Sequence, residues 1–169
     1  MIKIGLLLGS FDPFHIGHLY SAVQALEQGM DCIKLVPAWQ NPWKQKSTSF
    51  DLRILMILYS LKGYTKIKCD GVEGTLKPTY TYETLLALKK KYNKKASLYI
   101  IGGEDTIQNI SKWTNGQWII DNFKFLCIPR NKINISSSEI REMIKHNQNP
   151  YPFIHHDVFK LIQTKKLYL

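Results

Sequence analysis

The chain has 169 residues, 44% of them hydrophobic and 21% charged, a balance typical of an ordinary globular protein, and we predict one domain over residues 1–169. Its 23 lysines and arginines outnumber its 13 aspartates and glutamates, so the net charge of +10 favours a polyanionic ligand, either nucleic acid or a phosphate-bearing small molecule. The 3 cysteines form no CxxC pair and no apolar run approaches the roughly 20 residues of a membrane span, which argues against a disulfide scaffold, a thiolate zinc site and a membrane protein. We therefore expect a cytoplasmic protein.

The start of the chain predicts a βαβ unit. Residues 2–8 form a short apolar run, typical of a strand buried on both faces of a parallel sheet. Apolar residues then recur at helical spacing over residues 17–28, and Gly29 ends this helix. Residues 32–36 predict a second strand, ended by Pro37, and the connection between the two strands should be right-handed.

The rest of the chain continues the alternation of strands and helices. Residues 38–48 predict a loop, and Ser49 is the expected N-cap of the next helix. The remaining predicted elements are a helix at 50–61, a strand at 67–69, an irregular segment to residue 78, a helix at 82–92, a strand at 96–101, short helices around 106–113 and 116–121, a strand at 123–128, and helices at 137–145 and 156–164. This order predicts an α/β fold, a Rossmann-like doubly wound parallel sheet with helices on both faces and a small C-terminal helical part.

Residues 9–18, GSFDPFHIGH, lie where the first strand gives way to the first helix. Ligands bind beyond the carboxyl ends of the strands in such a sheet, and the exposed amides and positive dipole of a helix N-terminus favour an anion there. Gly9 and Gly17 have no Cβ, so a phosphate chain could lie close to the backbone. His15 and His18 could donate hydrogen bonds to its oxygens, and transfer of a phosphoryl or nucleotidyl group needs little more than such positioning and charge stabilisation.

Other interpretations of the two histidines compete with a phosphate site. A zinc site needs three or four ligands, and the other histidines lie far away in the sequence, so we predict no metal ligand in the protein. Histidines packed in a core are rarely found so close together at the start of a helix. A Walker-type phosphate loop is excluded because the pattern GxxxxGK[ST] is absent.

A second segment suited to phosphate begins a predicted helix near the C-terminus. It is ISSSEIR, residues 135–141, in which serine hydroxyls and helix-terminal amides could hold phosphate oxygens and Arg141 could add a charged fork. Alone, this segment is no more than a capped helix start. In combination with residues 9–18, it favours a phosphate site.

Together these two segments resemble the signatures of a nucleotidyltransferase superfamily: G-x-F-x-P-x-H-x-G-H and a helix-opening ISS[ST]xxR. The resemblance implies that His15 and His18 are catalytic and stabilise the charge that develops on the transferred group. It also implies binding of ATP with Mg²⁺. The implied ATP-binding residues are Gly9, Ser10, Phe11, Gly17, Lys44, Ser136, Ser137, Ser138 and Arg141.

The middle of the chain most resembles bacterial nicotinate-mononucleotide adenylyltransferases. Val36-Pro37 followed by residues 42–44 is similar to their VPxxxPPHK loop, residues 78–85 (PTYTYETL) to their P-S-Y-T-x-x-T-L, and residues 103–113 to their GxDxxxxxxxW. This resemblance implies adenylyl transfer from ATP to nicotinate or nicotinamide mononucleotide, with pyrophosphate as the second product. The implied pyridine-nucleotide-binding residues are Asp12, Tyr80, Thr81, Thr84, Asp105 and Trp113.

Several positions depart from this family pattern and leave alternatives open. Leu8 stands where a second glycine is usual, and Asn41 and Trp43 replace a proline and a histidine of the loop. Residues 71–80, GVEGTLKPTY, lack the arginine that is common upstream of the P-S-Y-T-x-x-T-L motif. The choice between nicotinate and nicotinamide mononucleotide therefore remains open, as does a homo-oligomeric state. One alternative function is pantetheine-phosphate adenylyltransferase, a family that lacks the Y-T-x-x-T-L and GxDxxxxxxxW motifs. The other is a basic nucleic-acid-binding module, for which no recognition motif is present.

Overall fold

A computed structural model describes residues 1–40, 48–92, 95–129 and 133–169. Parallel strands form one sheet in the order β3-β2-β1-β4-β5. The strands are β1 (Ile2–Gly9), β2 (Cys32–Pro37), β3 (Ile67–Cys69), β4 (Ala96–Gly102) and β5 (Lys124–Cys127). The helices are α1 (Ile16–Glu27), α2 (Phe50–Ser60), α3 (Val72–Leu76), α4 (Thr81–Tyr92), α5 (Glu104–Gln108), α6 (Gly116–Asn122), α7 (Ser137–Lys145) and α8 (His156–Thr164), with a 3₁₀ turn at Ile110–Lys112.

Both faces of the sheet are covered because strand side chains alternate between two cores. Leu7 and Leu35 face a core that includes Ala22 and Ala25 of α1 and Ile57 of α2. The next residues along the strands face the opposite way, into a core formed with α4 and α6; among them are Leu6, Val36, Ile100, Leu85, Leu88 and Ile119. The predicted doubly wound α/β class is confirmed.

The C-terminal helices pack on the outside of α2. Ile140 and Ile144 of α7, Val158 and Ile162 of α8, and Met56 of α2 form a third buried cluster. This cluster is the small C-terminal helical part that the sequence predicts. It packs α7 against α2 and α8, and it therefore helps to position the segment ISSSEIR.

Most helix boundaries follow the predicted caps. The Ser49 side chain accepts the amide of Leu52 at the start of α2, and Gly29, at φ +91°, ends α1 in a conformation that favours glycine. The irregular segment predicted before residue 78 is wrong in part, because Val72–Leu76 form the short helix α3. Gly74 and Thr75 have low helix propensity, and the five residues are too few to show a repeating apolar pattern, so the sequence does not indicate this helix. The helix is held in place by buried Glu73, which accepts hydrogen bonds from Trp39 and Thr84. No helix in the described ranges is long and apolar enough to cross a bilayer.

Candidate active site

A cleft of about 360 Å³ lies beyond the carboxyl ends of β1 and β4. Strands β2 and β3 lie on one side of β1, and β4 and β5 lie on its other side. The strand order therefore reverses between β1 and β4, and the cleft occupies this topological switch point. Residues 9–18 line one wall and the start of α7 lines another. Among the residues predicted from sequence, the cleft brings together Gly9, Ser10, Phe11, His15, Gly17, His18, Ser136, Ser137 and Ser138.

His15 and His18 hold each other in place at the start of α1. His15 is the N-cap and its Nδ1 accepts the amide of Gly17 at 3.1 Å, while Nδ1 of His18 accepts the amide of His15 at 3.2 Å. The rings stack with centroids 3.7 Å apart. Because Nδ1 is an acceptor in both rings, each neutral imidazole carries its proton on Nε2. The pair therefore presents Nε2–H donors, which suit the oxygens of an anion.

Aromatic residues of the same turn support the His18 ring. Phe14 stacks on it at 5.3 Å and Phe11 meets it edge-on at 4.9 Å, and both phenylalanines are almost completely buried. Phe11 has φ +52°, a left-handed conformation that costs a bulky residue on the order of 1–3 kcal/mol. The surrounding contacts maintain this conformation, and the ring of His18 is held rigidly as a result.

The amides of the first turn of α1 are committed within the protein. Ile16 N donates to Phe153 O at 2.8 Å, Gly17 N to the His15 ring, and His18 N to His15 O at 3.0 Å. The expectation that these amides are exposed to an anion is therefore wrong, because the His15 side chain and the 153 carbonyl occupy them. What α1 offers an anion is the Nε2–H groups and the positive end of its dipole.

The start of α7 differs in this respect. Ser136 and Glu139 form a capping box, in which the Ser136 hydroxyl accepts the amide of Glu139. The Ser137 hydroxyl donates to Pro13 O at 3.0 Å, which ties α7 to the turn of residues 9–18. Within the described residues, the amides of Ser137 and Ser138 donate to no acceptor of the protein. They line the cleft, and α7 is therefore the helix that offers backbone donors to an anion.

Gly17 is required by the close approach of His15. A Cβ at position 17 would lie 3.0 Å from both Cε1 and Nδ1 of the His15 ring. A side chain there would push on the ring that caps the helix. Gly9 is also tight, since a Cβ would lie 3.2 Å from the Phe11 ring.

Arg141 and Asp12 lie beside the cleft and not in its lining. Arg141 donates from Nη1 to Asp12 O at 2.8 Å and from Nη2 to the Ser138 hydroxyl at 3.0 Å. The Asp12 side chain is 2% exposed, and its carboxylate accepts the amide of Thr48 and the hydroxyl of Tyr168. Asp12 stays a predicted pyridine-nucleotide residue, and its carboxylate is buried beneath the turn. Lys44 and Trp43 lie outside the described residues.

Buried Arg53 of α2 organises the same region and was not predicted as a site residue. Its guanidinium donates to three backbone carbonyls, those of Ser10 at 2.7 Å, Trp39 at 2.9 Å and Thr48 at 2.9 Å. Burial lowers the pKa of Arg53, and the nearby Asp12 carboxylate opposes this shift. Arg53 thus joins the turn of residues 9–18 to Trp39 and to Thr48.

The predicted pyridine-nucleotide residues are spread over the loops around α4 and α5. Tyr80 is exposed, Thr81 begins α4, and Asp105 is exposed on α5. Trp113 is half-buried and packs against the core beneath α4 and α6.

Thr84, also predicted as a pyridine-nucleotide residue, lies inside the protein. Thr84 is completely buried, and its hydroxyl donates to Glu73 at 2.7 Å. The other Glu73 oxygen accepts the amide of Trp39 at 2.6 Å, and burial raises the pKa of Glu73. Thr84 therefore connects α4 to α3 and to the loop after β2, from beneath the surface.

Sequence reasoning missed the wall of the cleft that follows β4. Gly102, Gly103 and Thr106 line it, together with Tyr20 and Ser21 of α1. Placing β4 beside β1 would have found this wall, because the carboxyl ends of adjacent parallel strands meet at one edge of the sheet. In the described part of the chain, no three His, Cys, Asp or Glu side chains lie close enough to hold a metal ion.

Comparison with known proteins places this geometry in a family. The cytidylyltransferase-like family matches residues 6–143. A Flavobacterium johnsoniae protein named "probable nicotinate-nucleotide adenylyltransferase" is 34% identical, with 99% of each chain covered. A Christiangramia forsetii protein of the same name is 32% identical, with 98% of each covered.

Solved structures share the fold. The Plasmodium falciparum nicotinic acid mononucleotide adenylyltransferase complexed with NaAD matches with a TM-score of 0.82 and 22% identity, over 99% of this chain and 98% of that one. The same enzyme complexed with APC matches with a TM-score of 0.79 at 22% identity and the same coverage. The family match over most of the chain and the full-length relatives agree with the motifs, and the chain belongs to the cytidylyltransferase-like family of nucleotidyltransferases.

Proposed function

We propose that this protein transfers the adenylyl group of ATP to the 5′-phosphate of nicotinate mononucleotide, forming the deamido dinucleotide and pyrophosphate. An oxygen of the mononucleotide phosphate attacks the α-phosphorus of ATP, and a new P–O bond forms. The bond between the α-phosphorus and the α,β-bridging oxygen breaks, and pyrophosphate leaves with the electron pair. No covalent enzyme intermediate is required.

One observation carries this proposal: donors of hydrogen bonds from two different helices converge on one cleft at the switch point of the sheet. His15 and His18 supply Nε2–H groups from α1, and the amides of Ser137 and Ser138 supply the second set from α7. Among the described residues, the lining of the cleft includes no aspartate or glutamate, and its donors suit a polyanion such as a triphosphate. The net charge of +10 supports the same ligand class.

The two histidines have separable parts in this proposal. His18 stabilises the charge that develops on the transferred group, since its ring is held on both sides by His15 and Phe14. His15 caps α1 and adds the second donor. The α7 amides and Lys44 hold the β- and γ-phosphates, and Arg141 holds Ser138 in place.

Mg²⁺ enters this proposal as part of the substrate, bound to the phosphate oxygens of ATP. The donor set of the cleft consists of imidazole N–H, amide N–H and hydroxyl groups, which face oxygens and not a cation. Mg²⁺ commonly binds in this way, through substrate phosphates and water with few protein ligands.

The proposed acceptor rests on the names of the full-length relatives and on the loop before α4. Thr79 N and Tyr80 N donate to Glu83 at 2.6 Å and 3.1 Å, which fixes the backbone where the family motif begins. Thr84 and Glu73 hold the same helix from below. An ordered backbone here could bond the ring carboxylate of a nicotinate.

The three free cysteines agree with a cytoplasmic setting for this reaction.

An acceptor panel tests the proposal. Purified protein is incubated with ATP, Mg²⁺ and either nicotinate mononucleotide, nicotinamide mononucleotide or phosphopantetheine, and the release of pyrophosphate is followed. We expect the highest kcat/KM with nicotinate mononucleotide. Turnover with phosphopantetheine alone would overturn the choice of acceptor, and salt-sensitive binding to DNA or RNA without any turnover would overturn the enzyme assignment.

A further inference from the structure

The last residues of the chain return to the turn of residues 9–18. After α8 ends at Thr164, the backbone turns through left-handed conformations at Lys166 and Tyr168, with φ +50° and +66°. The Tyr168 hydroxyl then donates to Oδ1 of Asp12, 156 positions earlier. The same hydroxyl lies 3.9 Å from Met56 Sδ, within the cluster between α2, α7 and α8.

Asp12 links Tyr168 by hydrogen bonds to two other parts of the proposed ATP site. Its Oδ2 accepts the amide of Thr48 at 3.1 Å, where the chain re-enters after residues 41–47. Its backbone carbonyl accepts Nη1 of Arg141 at 2.8 Å, and Nη2 of Arg141 holds the Ser138 hydroxyl at 3.0 Å. A continuous set of hydrogen bonds thus runs from Tyr168 through Asp12 and Arg141 to Ser138, which lines the cleft.

The junction is buried and charged, so the loss of one donor has consequences at the others. Asp12 is 2% exposed, and Arg53 lies close enough for its charge to act on Asp12. Burial and the Asp12 carboxylate raise the pKa of Tyr168, which keeps its hydroxyl protonated and able to donate. If the Tyr168 donor is lost, the buried Asp12 carboxylate is expected to shift towards the donor groups that remain around it, which belong to Thr48, Arg53 and Arg141.

We propose that Tyr168 is a positioning residue of the ATP site, acting through Asp12 to fix Arg141, Ser138 and the end of the loop at Thr48. It touches no substrate. The proposal rests on the proposed function, in which the amides at the start of α7 hold the phosphates of ATP. It predicts an effect on ATP binding that is separate from any effect on stability or on the acceptor.

The test compares Tyr168→Phe with Tyr92→Phe. The Tyr92 hydroxyl donates to Asp70 at 3.1 Å, and Asp70, 7% exposed, also accepts Lys91 at 2.8 Å. Each variant therefore removes one tyrosine–aspartate hydrogen bond from a half-buried site where the aspartate keeps another donor. Neither Tyr92 nor Asp70 lines the cleft. The readouts are the Kd of a non-hydrolysable ATP analogue, the KM of the mononucleotide, and the midpoint of urea unfolding.

We expect Tyr168→Phe to raise the Kd of the ATP analogue by up to about tenfold, with the KM of the mononucleotide unchanged. The free energy of one hydrogen bond sets this upper limit, because the loss acts on ATP only through the positions of Arg141 and Ser138. We expect Tyr92→Phe to lower the midpoint of urea unfolding about as much as Tyr168→Phe does, and to leave the Kd of the ATP analogue at the wild-type value. In Asp12→Ala, which removes both acceptor oxygens, adding Tyr168→Phe should cause little further loss, since both substitutions interrupt the same contact.

A wild-type Kd in Tyr168→Phe, or an equal loss in Tyr92→Phe, would overturn the positioning role while leaving the proposed function intact. Additive losses in the Asp12→Ala and Tyr168→Phe double variant would also overturn it. If the wild-type protein itself does not bind the ATP analogue, the proposed function fails, and the positioning role fails with it.

Discussion

Replacement of His18 separates the chemical part of this side chain from its structural part. His18 offers an Nε2–H donor, and its Nδ1 also accepts the amide of His15 at 3.2 Å. In His18→Asn the side-chain oxygen can take the place of Nδ1. The hydrogen bond from the His15 amide is then retained, while the Nε2–H donor is lost. In His18→Ala both are lost.

The magnitudes follow from these two losses. Removing one preorganised donor to a transition-state oxygen costs on the order of 2.7–4 kcal/mol, so we expect kcat to fall at least about 100-fold in both variants. Loss of the hydrogen bond from the His15 amide costs about 1 kcal/mol in addition, and we expect this loss of unfolding free energy in His18→Ala and a smaller loss in His18→Asn.

The assay measures pyrophosphate release at saturating ATP, with urea unfolding followed by circular dichroism on the same samples. His15→Asn is the matched comparison, because asparagine is also a good N-cap residue. A kcat of His18→Asn within threefold of the wild-type value would refute the reasoning that the Nε2–H donor acts on the transferred group.

Four further outcomes are expected. Gly17→Ala places a Cβ 3.0 Å from the His15 ring and should lower kcat/KM for ATP about tenfold with an unchanged circular dichroism spectrum; an unchanged kcat/KM would contradict the tight approach. Burial raises the pKa of the Cys69 thiol to about 12, so at pH 8.5 iodoacetamide should label exposed Cys127 first, as read by peptide mass spectrometry. Because the folded protein keeps this thiol protonated while the unfolded chain ionises it near pH 9, Cys69 should also make stability fall as pH rises from about 9 towards 12, and Cys69→Ala should flatten that slope. Gly116→Ala places a Cβ 2.2 Å from Ile110 O and should lower the free energy of unfolding by about 2 kcal/mol in urea titrations; a neutral result would show that the 3₁₀ turn shifts freely.

Local patterns predicted much of the fold and the core of the site. Strands β1 and β2 are mostly apolar runs, Ser49 is a capping residue, and Gly29 ends a helix. Each of these signals lies within a few residues of the element that it determines. The turn of residues 9–18 was found for the same reason. Recognition of the nucleotidyltransferase family from its ordered motifs is confirmed by the family match and by the full-length relatives.

The contacts that sequence reasoning missed join residues far apart in the chain. Arg53 reads as a polar residue on an amphipathic helix, yet it bonds Ser10, 43 positions away. Tyr168 reads as part of a terminal tail, yet it bonds Asp12. Asp12 and Thr84 are polar members of motifs, so they were predicted to face ligand, whereas each is buried and satisfied by the protein. Periodicity and spacing carry no information about such pairs, because tertiary packing alone brings them together.

ATP labelled at the α-phosphorus tests the central claim most directly. The protein is incubated with this ATP, Mg²⁺ and nicotinate mononucleotide, and the label is followed in the dinucleotide, in free AMP and on the protein. The account predicts that the label moves into the dinucleotide in equal amount to the pyrophosphate released, and that none is bound to protein. Label recovered only as AMP, or covalently bound to the protein, would contradict direct adenylyl transfer.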